Sequence, residues 1–187
     1  MDETLRVIEL WGRVYEDLAP RYACVMTWET SGAEIGQTQR HPHGQTYAIS
    51  AVPELLQREM EAVLQAERKG QPCPFCASVA QEDGGPRCVF SGQWWIAFVP
   101  PWARYPYQTQ IVPRRHFSAI SGLALAGEGD GADAAGRELA ALLLRLIHAY
   151  DQVMQGPMPY MLALHQLADE RFHFHIELLP VGRAPGK

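Results

Sequence analysis

Apolar positions recur along this chain with two different periods. In residues 5–18, Leu5, Ile8, Trp11, Val14, Tyr15 and Leu18 fall three and four apart, which predicts an amphipathic helix stopped by Pro20. Residues 54–68 follow Pro53 and end before Gly70, the punctuation of a second helix. A third helix is predicted over 136–153, where Leu139, Leu142, Leu143, Leu146, Ile147 and Tyr150 form its apolar stripe. Shorter runs with strand character lie between them: "YACVMTWE" at 22–29, "HPHGQTYAI" from 41, "PRCVFSG", "WWIAFVP", "YQTQIVP", "PYMLALHQ" and "RFHFHIELLP". Residues after "CPFC" read as strands, residues 121–133 as an exposed Gly/Ala-rich loop, and "VGRAPGK" as a polar tail.

The order of these elements repeats. Helix, strand, loop and histidine-bearing strand occur at 5–49 and again at 136–179, and the later copy is preceded by its own hairpin and third strand. The expected fold class is therefore α+β, one complete unit plus the back half of another, divided at 1–69 and 70–187.

Composition narrows the function. With 187 residues, 47% of them hydrophobic and 20% charged, the chain is of ordinary globular make-up. A formal charge of −5 argues against a nucleic-acid binder, and no apolar run reaches membrane-spanning length. The acidic start "MDETLRV" is no signal peptide, so a cytoplasmic protein with neither nucleic-acid nor membrane partners is expected. Cys73 and Cys76 form "CPFC", a spacing that in such a protein suggests metal or redox chemistry, whereas Cys24 sits in an apolar run as a small core residue.

Two stretches concentrate chemistry. In "RHPHGQTYAIS", strand alternation puts His41, His43 and Gln45 on one face, with Gly44 leaving the backbone bare for a ligand. In "RFHFHIELLP", His173, His175 and Glu177 share one face while Phe172, Phe174 and Ile176 fill the other. Imidazole serves as nucleophile, acid/base or metal ligand. The first stretch suits a phosphoryl group beside a neutral histidine, and the second, on its packed apolar support, suits metal ligation.

"HPHGQTYA", "WWIAFVPPWARYPYQTQIVPRRHF", "PYMLALHQ" and "RFHFHIELLP" together resemble the galactose-1-phosphate uridylyltransferase family of the histidine-triad superfamily. The resemblance implies a histidine-triad-like antiparallel sheet with flanking helices. It implies a nucleotidyltransferase that moves UMP from UDP-glucose to galactose 1-phosphate, ping-pong through a uridylyl-histidine. The nucleophile then falls on His43, with Gln45, Thr38 and His41 as substrate-binding residues. A metal site for zinc or iron falls on Glu59, His165, His173 and His175, and a second, for zinc, on Cys73, Cys76 and His116. Arg171 stands at the fourth position of that second pattern, and Cys88 is a candidate substitute ligand. Thr30 stands where the family carries a nucleotide-contacting asparagine. Substrates would be a UDP-sugar and a sugar 1-phosphate, with a separately encoded N-terminal half or a second copy as protein partner. Two alternatives compete: a self-sufficient nucleotidyltransferase or hydrolase on another substrate, and a non-catalytic, metal-stabilised interaction domain.

Overall fold

The structure is a computed structural model that describes residues 2–37, 39, 43–125 and 131–181. In chain order its main elements are α1 (Asp2–Leu18), β1 (Cys24–Ser31), β2 (Gly44–Ile49), α2 (Glu54–Arg68), α3 (Pro74–Glu82), β3 (Cys88–Ser91), β4 (Trp95–Phe98), β5 (Thr109–Pro113), α4 (Gly131–Met154), β6 (Tyr160–His165) and β7 (His175–Pro180). The strands form one antiparallel sheet of order β2-β1-β6-β7-β5-β4-β3. The expected α+β class and flanking helices are present, and both predicted segments contribute to this single sheet, joined where β1 pairs β6. No helix among the described residues is long and apolar enough to cross a membrane.

Each face of the sheet carries two helices. On one, α1 and α4 bury Leu5, Ile8, Trp11, Leu139, Leu142 and Leu146 against Trp95, Ile111, Leu162, Leu164, Phe174 and Ile176. This is the largest apolar core, and it explains the alternation from Phe174 onward, since Phe174, Ile176 and Leu178 are its floor; Phe172, expected on the same face, packs on the opposite one because the chain becomes a regular strand only at His175. On the opposite face α2 packs Leu56 with Cys24, Leu167 and Phe172, while Val79 of α3 packs on Ile96, Phe98 and Val112.

α2 begins after Pro53, whose carbonyl accepts the first turn's Gln57 amide at 3.0 Å, and it ends at Gly70 with φ +64°, a left-handed residue that closes helices at little cost. α3 departs from expectation, since the segment after Cys73 forms a helix before the strands begin. Pro74 occupies its first turn, where a missing N–H costs nothing, and Val79 and Glu82 are its buried residues. Such a short element shows almost no apolar period. At the other end of the chain α4 starts five residues earlier than the apolar stripe suggested.

Glu138 of α4 clamps the β3–β4 connection. Its carboxylate accepts the backbone N–H groups of Gln93 at 3.0 Å and of Trp94 and Trp95 at 2.9 Å. Glu138→Ala strands those three donors at a partly buried turn, and a loss of about 2–3 kcal/mol in urea-unfolding free energy is expected. A loss below about 0.5 kcal/mol would show that water replaces the carboxylate freely.

Candidate functional site

His43 stands immediately before β2, whose first residue Gly44 pairs with Glu29 of β1. A Cβ on Gly44 would lie 3.4 Å from the Trp28 carbonyl oxygen and 3.7 Å from the Trp11 indole nitrogen, which are ordinary van der Waals contacts. Gln45 follows, and the Tyr47 hydroxyl donates to its Oε1 at 3.1 Å. That contact turns the amide NH2 of Gln45 into the group left to donate. Tyr47 itself stacks on Trp28 with ring centroids 4.4 Å apart. Thr38 and His41 lie outside the described residues.

The other expected site residues gather on the α2/α3 face in two groups. Cys73, Cys76, His116 and His173 form one, with their donor atoms all within 4.8 Å of one another; Glu59, His165 and His175 form the other. His173 therefore lies with the cysteines and not with Glu59. Its Nδ1 is 3.4 Å from Cys76 Sγ and 3.8 Å from Cys73 Sγ. Both histidines of "HFH" point to one face as the alternation requires. Only Phe174 separates them, and the cysteines at the start of α3 reach only the first, while Phe75 of the same helix stacks on the second.

Arg171 does not join the cysteine group. Its guanidinium grips Asp169 with contacts of 2.9 and 2.6 Å. Cys88 is not a substitute ligand either, because its thiol donates to the Phe90 carbonyl at 3.4 Å and packs with Val79 and Ile96. The fourth member of the cysteine group is the first histidine of "HFH", the counterpart in the second repeat of His41. The spacing of the two repeats held that signal.

The hydrogen bonds of these histidines fit metal ligation. His173 Nε2 donates to the Pro113 carbonyl at 3.1 Å and His116 Nε2 to the Glu170 carbonyl at 3.1 Å, which leaves each Nδ1 lone pair facing the thiols. His175 Nδ1 donates to the His173 carbonyl at 3.0 Å. Its Nε2, fully buried, then has no hydrogen-bond partner among the described residues and lies 3.7 Å from Glu59 Oε1. Ring N–H groups tied to carbonyls orient ligand imidazoles in this way, and an orphaned buried nitrogen facing a carboxylate fits a cation between them. Two thiolates with two imidazoles suit zinc, while two imidazoles with a carboxylate suit zinc or iron.

Electrostatics agree. Hydrogen bonding from Cys76, helped by His116 and His173 against the opposing effect of burial, holds the Cys73 thiol far below its usual range, and Cys76 is raised in turn. His116 is raised chiefly by its hydrogen bond to Cys73. Burial pushes the Glu59 carboxyl up, but the hydrogen bond with His165 and the nearness of the His165 and His175 imidazoles outweigh it and bring it down to about 2 from 4.5. Complete burial lowers His175.

A carboxylate with a depressed folded-state pKa stabilises the fold above its unfolded value and loses that contribution as pH falls through the folded one. Metal-free protein is thus expected to lose stability between pH 4.5 and about 2 through Glu59, and Glu59→Gln should flatten that part of the profile. Urea unfolding at pH 5 and pH 3 measures it, and equal losses in both proteins would contradict the assignment.

Comparison with known proteins places these features. The family model of the galactose-1-phosphate uridyl transferase N-terminal domain matches residues 1–53. The galactose-1-phosphate uridylyltransferase of Thermotoga maritima is 29% identical over 186 residues, covering 95% of this chain and 56% of that protein. That of Rattus norvegicus is 31% identical over 165 residues, covering 87% of this chain and 41% of that protein. A solved uridylyltransferase structure superposes with a TM-score of 0.87 at 29% identity, over 100% of this chain and 58% of the other. Along nearly its whole length the chain is therefore similar to galactose-1-phosphate uridylyltransferases, and it spans about half the length of the curated relatives it matches.

Proposed function

We propose that this chain carries the nucleophile of a nucleotidyltransferase that exchanges UMP between a UDP-sugar and a sugar 1-phosphate. The observation that carries the proposal is the "HPHGQ" segment feeding β2, in a chain whose relatives are galactose-1-phosphate uridylyltransferases. An imidazole nitrogen of His43 attacks the α-phosphorus of UDP-glucose. The N–P bond forms as the P–O bond to glucose 1-phosphate breaks, and the leaving phosphate takes the electron pair. A phosphate oxygen of galactose 1-phosphate then attacks the same phosphorus, the N–P bond breaks, and UDP-galactose departs. Splitting the exchange at a nitrogen nucleophile gives two steps of similar difficulty. Positioning and charge stabilisation then carry most of the catalysis. Gln45, its Oε1 engaged by Tyr47, offers its NH2 to a phosphate oxygen.

In this proposal the metals support the fold. Cys73, Cys76, His116 and His173 would hold zinc, which ties the start of α3 to the ends of β5 and β7; Glu59, His165 and His175 would hold zinc or iron, tying α2 to β6 and β7. Gly44 is level with Glu29, which pairs Leu162 near the start of β6, whereas His165 ends that strand. At ~3.3 Å per residue along a strand, and with the two strands β1 and β6 between β2 and β7, His43 and the metal groups are well separated.

β2 closes one side of the sheet, and four of its six residues are exposed. Its free edge suits strand addition by a separately encoded half or by a second copy.

The test is intact-protein mass spectrometry at neutral pH after incubation with UDP-glucose, since a phosphoramidate is acid-labile. The expected result is a gain of one UMP in the wild type, absent in His43→Ala and discharged by galactose 1-phosphate. No gain, with or without a candidate partner polypeptide, would overturn the proposal.

A further inference from the structure

Of the four cysteines, two are shielded. Cys24 is 2% exposed in the apolar cluster beneath α2, and burial pushes its thiol up to about 11. The Cys88 thiol donates to the Phe90 carbonyl at 3.4 Å and packs against Val79 and Ile96. Cys73 and Cys76 are half-buried free thiols. Cys73 immediately precedes α3 and Cys76 lies in its first turn, where the Ala77 amide donates to the Cys73 carbonyl at 2.9 Å. That turn sets the two sulfurs within 4.8 Å of each other. A Cys-x-x-Cys spacing at a helix start is the arrangement of dithiols that cycle with a disulfide.

The surroundings favour thiolates, and access tells the two apart. The start of a helix carries partial positive charge, and His116 Nδ1 and His173 Nδ1 each lie 3.4 Å from Cys76 Sγ. A cavity of about 270 Å³ opens on Cys73, walled by Val63, Glu67, Gln71, His116 and Arg171, and Cys76 has no part in that wall. A small polar oxidant entering it meets the Cys73 sulfur first. Cys76 is then the thiol within reach to react next.

We propose that Cys73 and Cys76 form a reversible redox pair whose oxidant is a hydroperoxide, with Cys73 as the attacking thiol and Cys76 as the resolving one. The Cys73 thiolate attacks one oxygen of hydrogen peroxide, the O–O bond breaks, and hydroxide leaves with the electron pair. The Cys76 thiolate then attacks the sulfur of the Cys73 sulfenic acid, the S–O bond breaks, and a second hydroxide leaves. The two sulfurs lose two electrons between them, and both hydroxides take protons from solvent to become water. A dithiol reductant reverses the change by thiol–disulfide exchange. The disulfide withdraws both thiolates from the cysteine group, so oxidation empties that group of zinc and unties the start of α3 from β5 and β7. The metal release rests on the reading of that group as a zinc site; the thiol chemistry does not, and neither depends on His43.

The experiment treats the full, zinc-loaded chain with hydrogen peroxide at neutral pH, blocks the remaining thiols with iodoacetamide and maps the peptides by mass spectrometry. A Cys73–Cys76 disulfide is expected, with the mass of two hydrogens lost and regained on adding dithiothreitol. Cys24 and Cys88 should stay reduced, reacting at least about tenfold more slowly. A chromogenic chelator should read one zinc ion released per chain in step with the disulfide. In Cys76→Ser, the unresolved sulfenic acid should be trapped at Cys73 by dimedone; in Cys73→Ser, Cys76 should be trapped far more slowly. No Cys73–Cys76 disulfide in the wild type, or oxidation of Cys24 or Cys88 ahead of this pair, would overturn the proposal whether or not the variants fold. Equal trapping in the two folded variants would overturn the division of roles. A disulfide formed with all zinc retained would overturn the metal release and leave the thiol pair standing.

Discussion

Cys76→Ser protein purified with zinc in the buffer is expected to carry one metal ion fewer than the unsubstituted chain. Cys76 Sγ lies 3.4 Å from both His116 Nδ1 and His173 Nδ1, so it is central to its group, and a serine hydroxyl offers neither the charge nor the softness of a thiolate. Structural zinc binding contributes directly to folding, and losing it should cost several kcal/mol. At about 2–4 °C per kcal/mol for a chain of this size, a fall of ~10 °C in Tm is expected. Metal analysis together with calorimetry, with and without chelator, measures both effects. A chelator should lower the wild type toward the variant and move the variant less. An unchanged metal count, or a wild type indifferent to chelator, would mean that the four residues form an ordinary thiol–imidazole cluster.

The second large effect is expected at Phe174, between the two histidines. Its side chain is wholly buried, stacked on Phe117 with centroids 5.7 Å apart and edge-on to Trp95 at 6.2 Å. Its backbone N–H donates to the Phe117 carbonyl at 2.8 Å. Phe174→Ala opens a cavity where neighbouring aromatics cannot collapse, at about 3–5 kcal/mol. The consequence extends to chemistry, since this ring anchors the segment that aims His173 at the thiols and His175 at Glu59. Urea unfolding should show a lower midpoint, and chelator competition a weaker hold on metal at both groups. A loss under about 1 kcal/mol would show that the aromatic stack repacks.

Much of this was legible in the residue pattern. The stripes of α1, α2 and α4 are long enough for a period of 3.6 residues to declare itself, and α2 is bracketed by Pro53 and Gly70. The face shared by His173 and His175 follows from alternation alone. α3 was hidden because nine residues with two buried positions carry no period, and its fixed point is the cysteine pair itself. The partition of the histidines was hidden for a different reason. Alternation fixes which face a side chain occupies, whereas which helix stands over each position is tertiary information.

The join between β1 and β6 has a consequence for how the chain is made. Across it the Tyr160 hydroxyl donates to Glu29 Oε1 at 2.6 Å, between residues 131 apart in the chain. During synthesis at 5–20 residues per second, β1 therefore waits on the order of ten seconds for the strand that covers its inner edge. Until then Trp28 and its neighbours, paired only with β2, offer one open strand edge to whatever else is nascent, and a ribosome pause before residue 160 would lengthen that exposure.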